Sequence, residues 1–498
     1  MFSIFRNAFR QREERSYWLI RALFLRLLAC VYLSAFMSLW VQIQGLVGSE
    51  GILPVSEYLK AILQSSGEKL WYRVPTLCWL DAGDLFLNIQ CGLGVLCSIV
   101  LLIGIAPLFT TITLWILYTS LVTAGQTFLS FQWDILLLET GFLAIWWSPV
   151  CFLPRWIWFD NPSYTLLWLL RWLQFRLMFS SGVVKLTSGD AVWSNLTALN
   201  FHYETQPLPT RLSWYAHQFP DWFQSAGVLV VFVVELVVPF GIFGGRCLRI
   251  GAALAIGFLQ ITIAVTGNYG YFNILALVLC VPLLDDRCVR SLVGNIAIPV
   301  LQPCVQIHRS LRQFLVVPIF ATALLISVMQ LTRTLGIPIS SWPTVLVDTQ
   351  DFLRPLKISN GYGLFAVMTT NRHEIEIEGS ADGENWHAYE FKWKPGSVMR
   401  APSFVTPHMP RLDWQMWFAA LRPFQESQWV PQLMVRLLQG SGAVGGLFQS
   451  LPPSIPTYIR ARLYDYRFSD WNSHTETGYW WKRVLISEYS PTLSLRKQ

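Results

Sequence analysis

Nine mostly apolar stretches of roughly 20 residues run through this chain, at 17–40, 85–106, 107–128, 131–153, 164–186, 226–244, 248–266, 269–284 and 311–332. Such segments fold as membrane-crossing helices, because a bilayer offers no water to satisfy open backbone groups. Composition agrees: 53% of residues are hydrophobic, mean hydropathy is +0.42, and 13% are charged against roughly 25% in soluble domains. The expected fold class is an α-helical polytopic membrane protein of about nine spans, followed by a C-terminal β-rich soluble domain.

Charge sets the orientation. Arg6, Arg10, Arg12 and Arg15 form a basic flank at 1–16, read as the cytoplasmic side of a signal anchor. Counting spans from there, the loops with Arg155, with Arg246 and Arg249, and with Arg287, Arg290, Arg309 and Arg312 fall inside. The mixed-charge loops 42–84 and 187–225 fall outside. The membrane half is then 17–332, and the tail 333–498 lies outside. The net charge of +7 fits this loop bias, and no Lys/Arg-rich tract points to nucleic acid.

The tail is a third of the chain yet carries 17 of the 37 Lys and Arg and 14 of the 30 Asp and Glu. It is expected to be solvated. His373–Gly379 alternates at period two like a half-buried strand, with a turn at Ala381–Asn385 and 386–393 as its hairpin partner. Residues 412–421 read as a short helix and Gly440–Gly446 as a flexible loop. A small sandwich-like module is the expectation. All nine cysteines precede residue 305, so the tail has no disulfide. Trp146, Trp147, Trp156 and Trp158 read as an interfacial belt.

The most informative residues are charges inside apolar stretches. Asp134 and Glu139 sit in the fourth, Arg171, Gln174, Arg176 and Lys185 in the fifth, and Glu235 in the sixth. Ions in a bilayer face a partner or a wet cavity. Asp134, Glu139 and Glu235 can therefore balance Arg171, Arg176 and Lys185, with Arg171 or Arg176 expected beside Glu139 or Asp134. Arg171 and Lys185 are 14 residues apart, close to four helical turns, and so share one face. A structural Lys185 would be held by a carboxylate such as Glu204. The outer loop carries His202, Glu204, Gln206 and His217, where one HxE is a weak metal or acid–base signal. Asn195-Leu-Thr197 is a glycosylation sequon on the expected outer side. No zinc spacing, nucleophile elbow, P-loop or dinucleotide fingerprint occurs, and no cofactor is assigned.

Five segments together resemble the lipase maturation factor family: FQWDILLLETGFLA (131–144), RLMFSSGVVKLTSGDAVWSNLTAL (176–199), FHYETQPLP (201–209), YGLFAVMTTNRHEIEIEGSADGENW (362–386) and RAPSFVTPHMPRLDWQMWFAAL (400–421). They span both halves in order. The resemblance implies a chaperone-like role in maturing secreted homodimeric lipases, in the endoplasmic reticulum membrane with a lumenal tail. In a prokaryotic host the cytoplasmic membrane takes that place. The implied partners are the bilayer and a secreted client. GVVKL (182–186) followed by Trp193 is also similar to vitamin K-dependent carboxylase-like membrane proteins. That similarity implies an enzymatic alternative acting on lipid or protein, with Lys185 and Glu139 in a cavity. A transporter is disfavoured because no inverted repeat or pair of broken helices is visible. An enzyme needs a cavity with unpaired titratable groups, whereas a helper needs an exposed apolar surface on the tail.

Overall fold

The computed structural model describes residues 17–65, 70–152, 162–293 and 309–495. The flank 1–16 with its arginines, Arg155, Trp156, Trp158 and Cys304 lie outside the described residues.

Helix occupies each of the nine apolar stretches. These are α1 (Trp18–Trp40), α2 (Asp84–Ile103), α3 (Pro107–Ala124), α4 (Gln132–Trp147), α5 (Tyr164–Thr187), α6 (Asp221–Phe243), α7 (Arg246–Thr266), α8 (Phe272–Leu283) and α9 (Arg309–Thr334). Five of them, α1, α2, α3, α6 and α7, are long and apolar enough to cross a membrane. Helix α4 has 16 residues and α8 is a short apolar helix. Helix α5 is long but charged.

Local chemistry sets the boundaries. Asp286 accepts the backbone N–H groups of Trp18 and Ile20, both at 3.0 Å, and so caps the start of α1. Gly104 ends α2 in the left-handed region at φ 89°, and Pro107 opens α3, which makes the expected hairpin turn. Helix α6 widens into a π turn at Val233–Val237 and tightens into a 3₁₀ turn at Val238–Phe243, around Pro239. The proline lacks the N–H that a regular ladder requires there.

The tail contains β1 (Arg372–Ser380), β2 (His387–Ala388), β3 (Glu390–Phe391), α10 (Arg411–Ala420), α11 (Trp429–Leu438), β4 (Phe448–Ser450), β5 (Tyr458–Phe468) and β6 (Trp481–Ser494). The expected strand and the Trp-rich helix are both present, as β1 and α10. The expected hairpin forms but is shorter than 386–393: His387–Ala388 pairs with β1 and the Tyr389 N–H reaches the Ile377 carbonyl, while Glu390–Phe391 joins β4 in a second, two-stranded sheet. The main partner of β1 is β5, with Ile377 opposite Ala461, in an antiparallel sheet ordered β2-β1-β5-β6. Helices rather than a second full sheet cover it, so no sandwich forms. Gly440–Gly446 is also not a loose loop. Its Gly442–Gly445 is a short helix capped by Ser441 and seated on Gly45, where any side chain would strike the Ala443 carbonyl.

The tail is not a separate globule. One cluster of buried apolar residues runs from Phe24, Tyr32 and Leu137 in the membrane half to Trp414, Ile375 and Leu433 in the tail. Within the expected tryptophan belt, Trp147 is corrected. Trp147 is 1% exposed and packs edge-on against Phe24, so it is core.

Close packing of α1 against α2 depends on Gly94, whose Cβ would overlap the Phe36 ring. Gly94→Val should cost about 1–3 kcal/mol of stability through overpacking. Thermal unfolding in detergent checks this, and an unchanged midpoint would contradict the packing.

Candidate functional site

Four buried polar constellations of the membrane half hold the candidate residues, and three of them reach the tail. The first surrounds Asp134 in the opening turn of α4. Its carboxylate is fully buried and accepts Tyr118 Oη at 2.6 Å and Tyr271 Oη at 2.7 Å. Its cation is Arg411 of the tail, at 2.5 Å from Nη1 to Oδ2 and 2.7 Å from Nη2 to Oδ1. This bidentate fork is the strong form of carboxylate pairing. Arg411 opens α10, and Gln42 accepts its backbone N–H at 2.9 Å.

The second lies one turn along α4. Arg176 pairs with Glu139, as expected for helices four and five. The other Glu139 oxygen accepts the Asn360 backbone N–H at 2.9 Å and Tyr362 Oη at 2.7 Å. Arg176 donates in turn to the Asn360 carbonyl at 2.9 Å. The segment entering the tail is thereby bound to both helices.

The third joins α5 to α6. Lys185 Nζ lies 2.7 and 3.0 Å from the two Glu235 oxygens, 3.0 Å from the Ser181 carbonyl and 5.3 Å from the centre of the Trp193 ring. The π turn carries Glu235 inward, and Gly182 lets α6 approach, since a Cβ there would meet Leu236 at 2.7 Å. π turns recur at functional positions. The expectation of Glu204 as the partner is corrected, because Glu235 on the neighbouring helix is nearer. Arg171 is the alternative not used. It reaches no carboxylate of α4, and donates to the Pro282 carbonyl at 3.0 Å and Tyr17 Oη at 3.1 Å at the opposite end of α5. Gln174 is buried between these ends.

The fourth is the outer loop, which folds as short helices, among them Ala198–Thr205 and Arg211–His217. Arg372 of β1 is buried beneath it and donates to the carbonyls of Glu204 (2.7 Å), Gln206 and Pro207 (2.8 Å). Glu374 balances its charge at 2.7 Å. Glu204 takes Arg467 at 3.0 Å and the Phe468 N–H at 2.9 Å, and His217 lies 3.8 Å away. Gln206 donates to Thr266 and accepts from Tyr269. His202 faces Tyr269 Oη at 3.4 Å and the Phe365 ring. His202 and Glu204 therefore look toward different partners. Among the described residues no group of three or more His, Cys, Asp or Glu is placed to hold a metal. Asn195 is exposed just after the short helix Ala191–Ser194.

Burial lowers the imidazole pKa values at this junction. His202 is pushed to about 4, helped by the nearby Lys185 charge. His408, which shares a hydrogen bond of 2.9 Å with Ser38 and packs on Trp393, is also pushed to about 4, with Arg411 and Lys392 adding to the effect. Burial lowers His217 as well, against the pull of Glu204.

Sequence reasoning found Asp134, Glu139, Arg171, Arg176, Lys185 and Glu235 but missed the tail's contribution: Arg411, Arg372, Arg467, Asn360 and Tyr362. The available signal was Arg411 at the head of the largely apolar stretch LDWQMWFAA, where a buried cation needs a partner.

Comparison with known proteins matches this two-part design. Residues 19–291 match the lipase maturation factor transmembrane domain and residues 358–491 the lipase maturation factor C-terminal domain. This chain belongs to the lipase maturation factor family. Lipase maturation factor 2 of Mus musculus is 37% identical over 95% of this chain and 83% of its own length. Lipase maturation factor 1 is 35% identical in Mus musculus and in Homo sapiens, over 96% and 97% of this chain and 88% and 89% of theirs. No solved structure matches. The carboxylase-like reading of Lys185 gains no support from this family membership, and the Lys185 ammonium is held by Glu235 and the Ser181 carbonyl.

Two outcomes follow from this geometry. Arg411→Gln or Asp134→Asn alone leaves an uncompensated buried ion and should cost about 3–5 kcal/mol, whereas Asp134→Leu with Arg411→Met should cost less than either. Detergent thermostability of the three variants reads this cycle, and harmless single variants would refute the pairing. His202 and His408 have folded pKa values below the ordinary 6.5, so the unfolded chain protonates first. Stability present above pH 6.5 should fall as pH drops toward 4. His202→Gln with His408→Gln should flatten that loss in a pH series of melting midpoints.

Proposed function

We propose that this chain is a membrane-embedded, chaperone-like maturation factor for secreted lipases. Its relatives are named for lipase maturation, and the likeness extends over both halves. The observation that carries the chaperone-like part is the free edge of the tail's sheet. Among the described strands β6 pairs with β5 alone, and its run Val484, Leu485, Ile486 is 69%, 50% and 48% exposed. Folded proteins usually blunt such edges, and an apolar strand edge suits transient contact with an incompletely folded chain. The intramembrane carboxylates Asp134, Glu139 and Glu235 are each held by a cation, which fits a scaffold.

In this reading all nine helices act as spans, the N-terminus is cytoplasmic, and the tail projects into the lumen of the endoplasmic reticulum, or outside the cytoplasmic membrane of a prokaryote. Partners are the bilayer and a secreted lipase, and Asn195 faces the glycosylating side. Expression of the chain in cells lacking their own lipase maturation factors, together with a secreted homodimeric lipase, should raise lipase activity in the medium. Unchanged activity at normal abundance of both proteins would refute the role. A cysteine introduced beside Asp382 should react with an impermeant maleimide from the outer side only. Reaction from the cytoplasmic side alone would overturn the topology.

A further inference from the structure

Helix α6 presents one apolar face outward. Leu229, Val233, Val237 and Phe240 are 50%, 51%, 64% and 56% exposed, as suits a span facing lipid. This face does not stop where the helix begins. Trp222 in its first turn is 72% exposed, and the preceding residues continue the pattern with Phe219, Tyr215 and Leu212. Leu212 and Tyr215 share one face of the short helix Arg211–His217, and an extended Pro220 links that helix to α6. Phe219 packs on Phe223 with ring centres 4.7 Å apart.

The height of this segment is fixed by α7. Thr210 donates to the Val265 carbonyl at 2.8 Å, and Gln206 donates to the Thr266 carbonyl at 2.7 Å. Both acceptors lie in the last turn of a helix long and apolar enough to cross the membrane. The short helix Arg211–His217 therefore sits at the level where α7 ends, which is the membrane boundary.

The tail joins the same face. Trp471, 57% exposed, lies 6.1 Å from the Tyr215 ring and 5.6 Å from Trp214. Trp214 is buried and donates its indole N–H to the Ser469 carbonyl at 3.0 Å, which fixes this part of the tail to the loop. An apolar face of this length is costly in water. Tryptophan and tyrosine are favoured where one side is apolar and the other wet. Arg211 and Asp221 beside the stripe are exposed and of opposite sign, which suits a zwitterionic headgroup layer.

We propose that Leu212, Tyr215, Phe219, Trp222 and Trp471 form an interfacial platform that rests on the phospholipid surface, so that the C-terminal domain itself touches the bilayer through Trp471. The occupant is lipid because the platform is continuous with the lipid-facing stripe of α6. Contact at two places, the spans and Trp471, fixes the tilt of the tail above the membrane.

The test uses the full chain in nanodiscs of phosphatidylcholine doped with a phosphatidylcholine carrying a diazirine near the acyl carbonyl. After illumination, peptide mass spectrometry should find lipid adducts on 212–222 and on Trp471. Leu212→Glu with Trp471→Glu should lower the adduct yield at Tyr215 severalfold while leaving that at Leu229 unchanged. Adducts confined to α6 and α7, with none on 212–219 or Trp471, would overturn the proposal. So would capture of a copurifying protein at Trp471 in place of lipid, which would make the face a protein-docking surface.

Discussion

The ion pair between Asp134 and Arg411 is the interaction on which the rest of this structure depends. Its members are 277 residues apart in sequence and are 0% and 1% exposed. Neither ion is tolerable there without the other, since moving one alone from water into a low-dielectric interior costs several kcal/mol. Tyr118 and Tyr271 supply further hydrogen bonds from α3 and the start of α8, so one carboxylate gathers three membrane helices and the tail. Assembly of the membrane bundle and docking of the tail are thus linked through the same buried charge.

The other polar contacts repeat this logic at different heights. Glu139 and Arg176 grip the backbone of the entering segment at Asn360. Arg372 satisfies three loop carbonyls that would otherwise be buried without a donor. Asn268, just past α7, accepts the Val405 N–H and donates to the Ser403 carbonyl. The Lys185–Glu235 pair differs in that both members belong to the membrane half, as do Asp285 and its partners Arg246 and Arg249. The hydrophobic core follows the polar contacts across the boundary, with Trp133 of α4 packed on Trp414 of α10 at 4.7 Å. The family's two domains therefore behave here as one body, with an open strand edge on one side and an aromatic platform on another.

Much of the membrane half was legible because bilayer thickness imposes one length and one composition on a span. All nine apolar stretches are helical, and the turn between α2 and α3 falls at the boundary of the stretches 85–106 and 107–128. Pairing of Arg176 with Glu139 was legible for a similar reason, since neighbouring spans supply opposite charges. Asp134 was recognised as needing a cation, but sequence could not name Arg411. The choice depends on a docked tail, and nothing local to 131–153 encodes it. Lys185 failed differently: Glu235 was in view, but the π turn that aims it is a tertiary feature of α6. In the tail, the alternation of β1 was read and the equal alternation in YIRARLYDYRF (458–468) was passed over, so the true partner of β1 was missed.

Buried contacts, rather than the covalent tether, hold the tail on the membrane half. Gly336 lies in the exposed connection after α9, with no atom near its Cβ position, so a protease site can be inserted there. After complete cleavage in mild detergent, size-exclusion chromatography should show both fragments eluting together at the position of the uncut protein. A tail fragment that elutes alone would contradict the account.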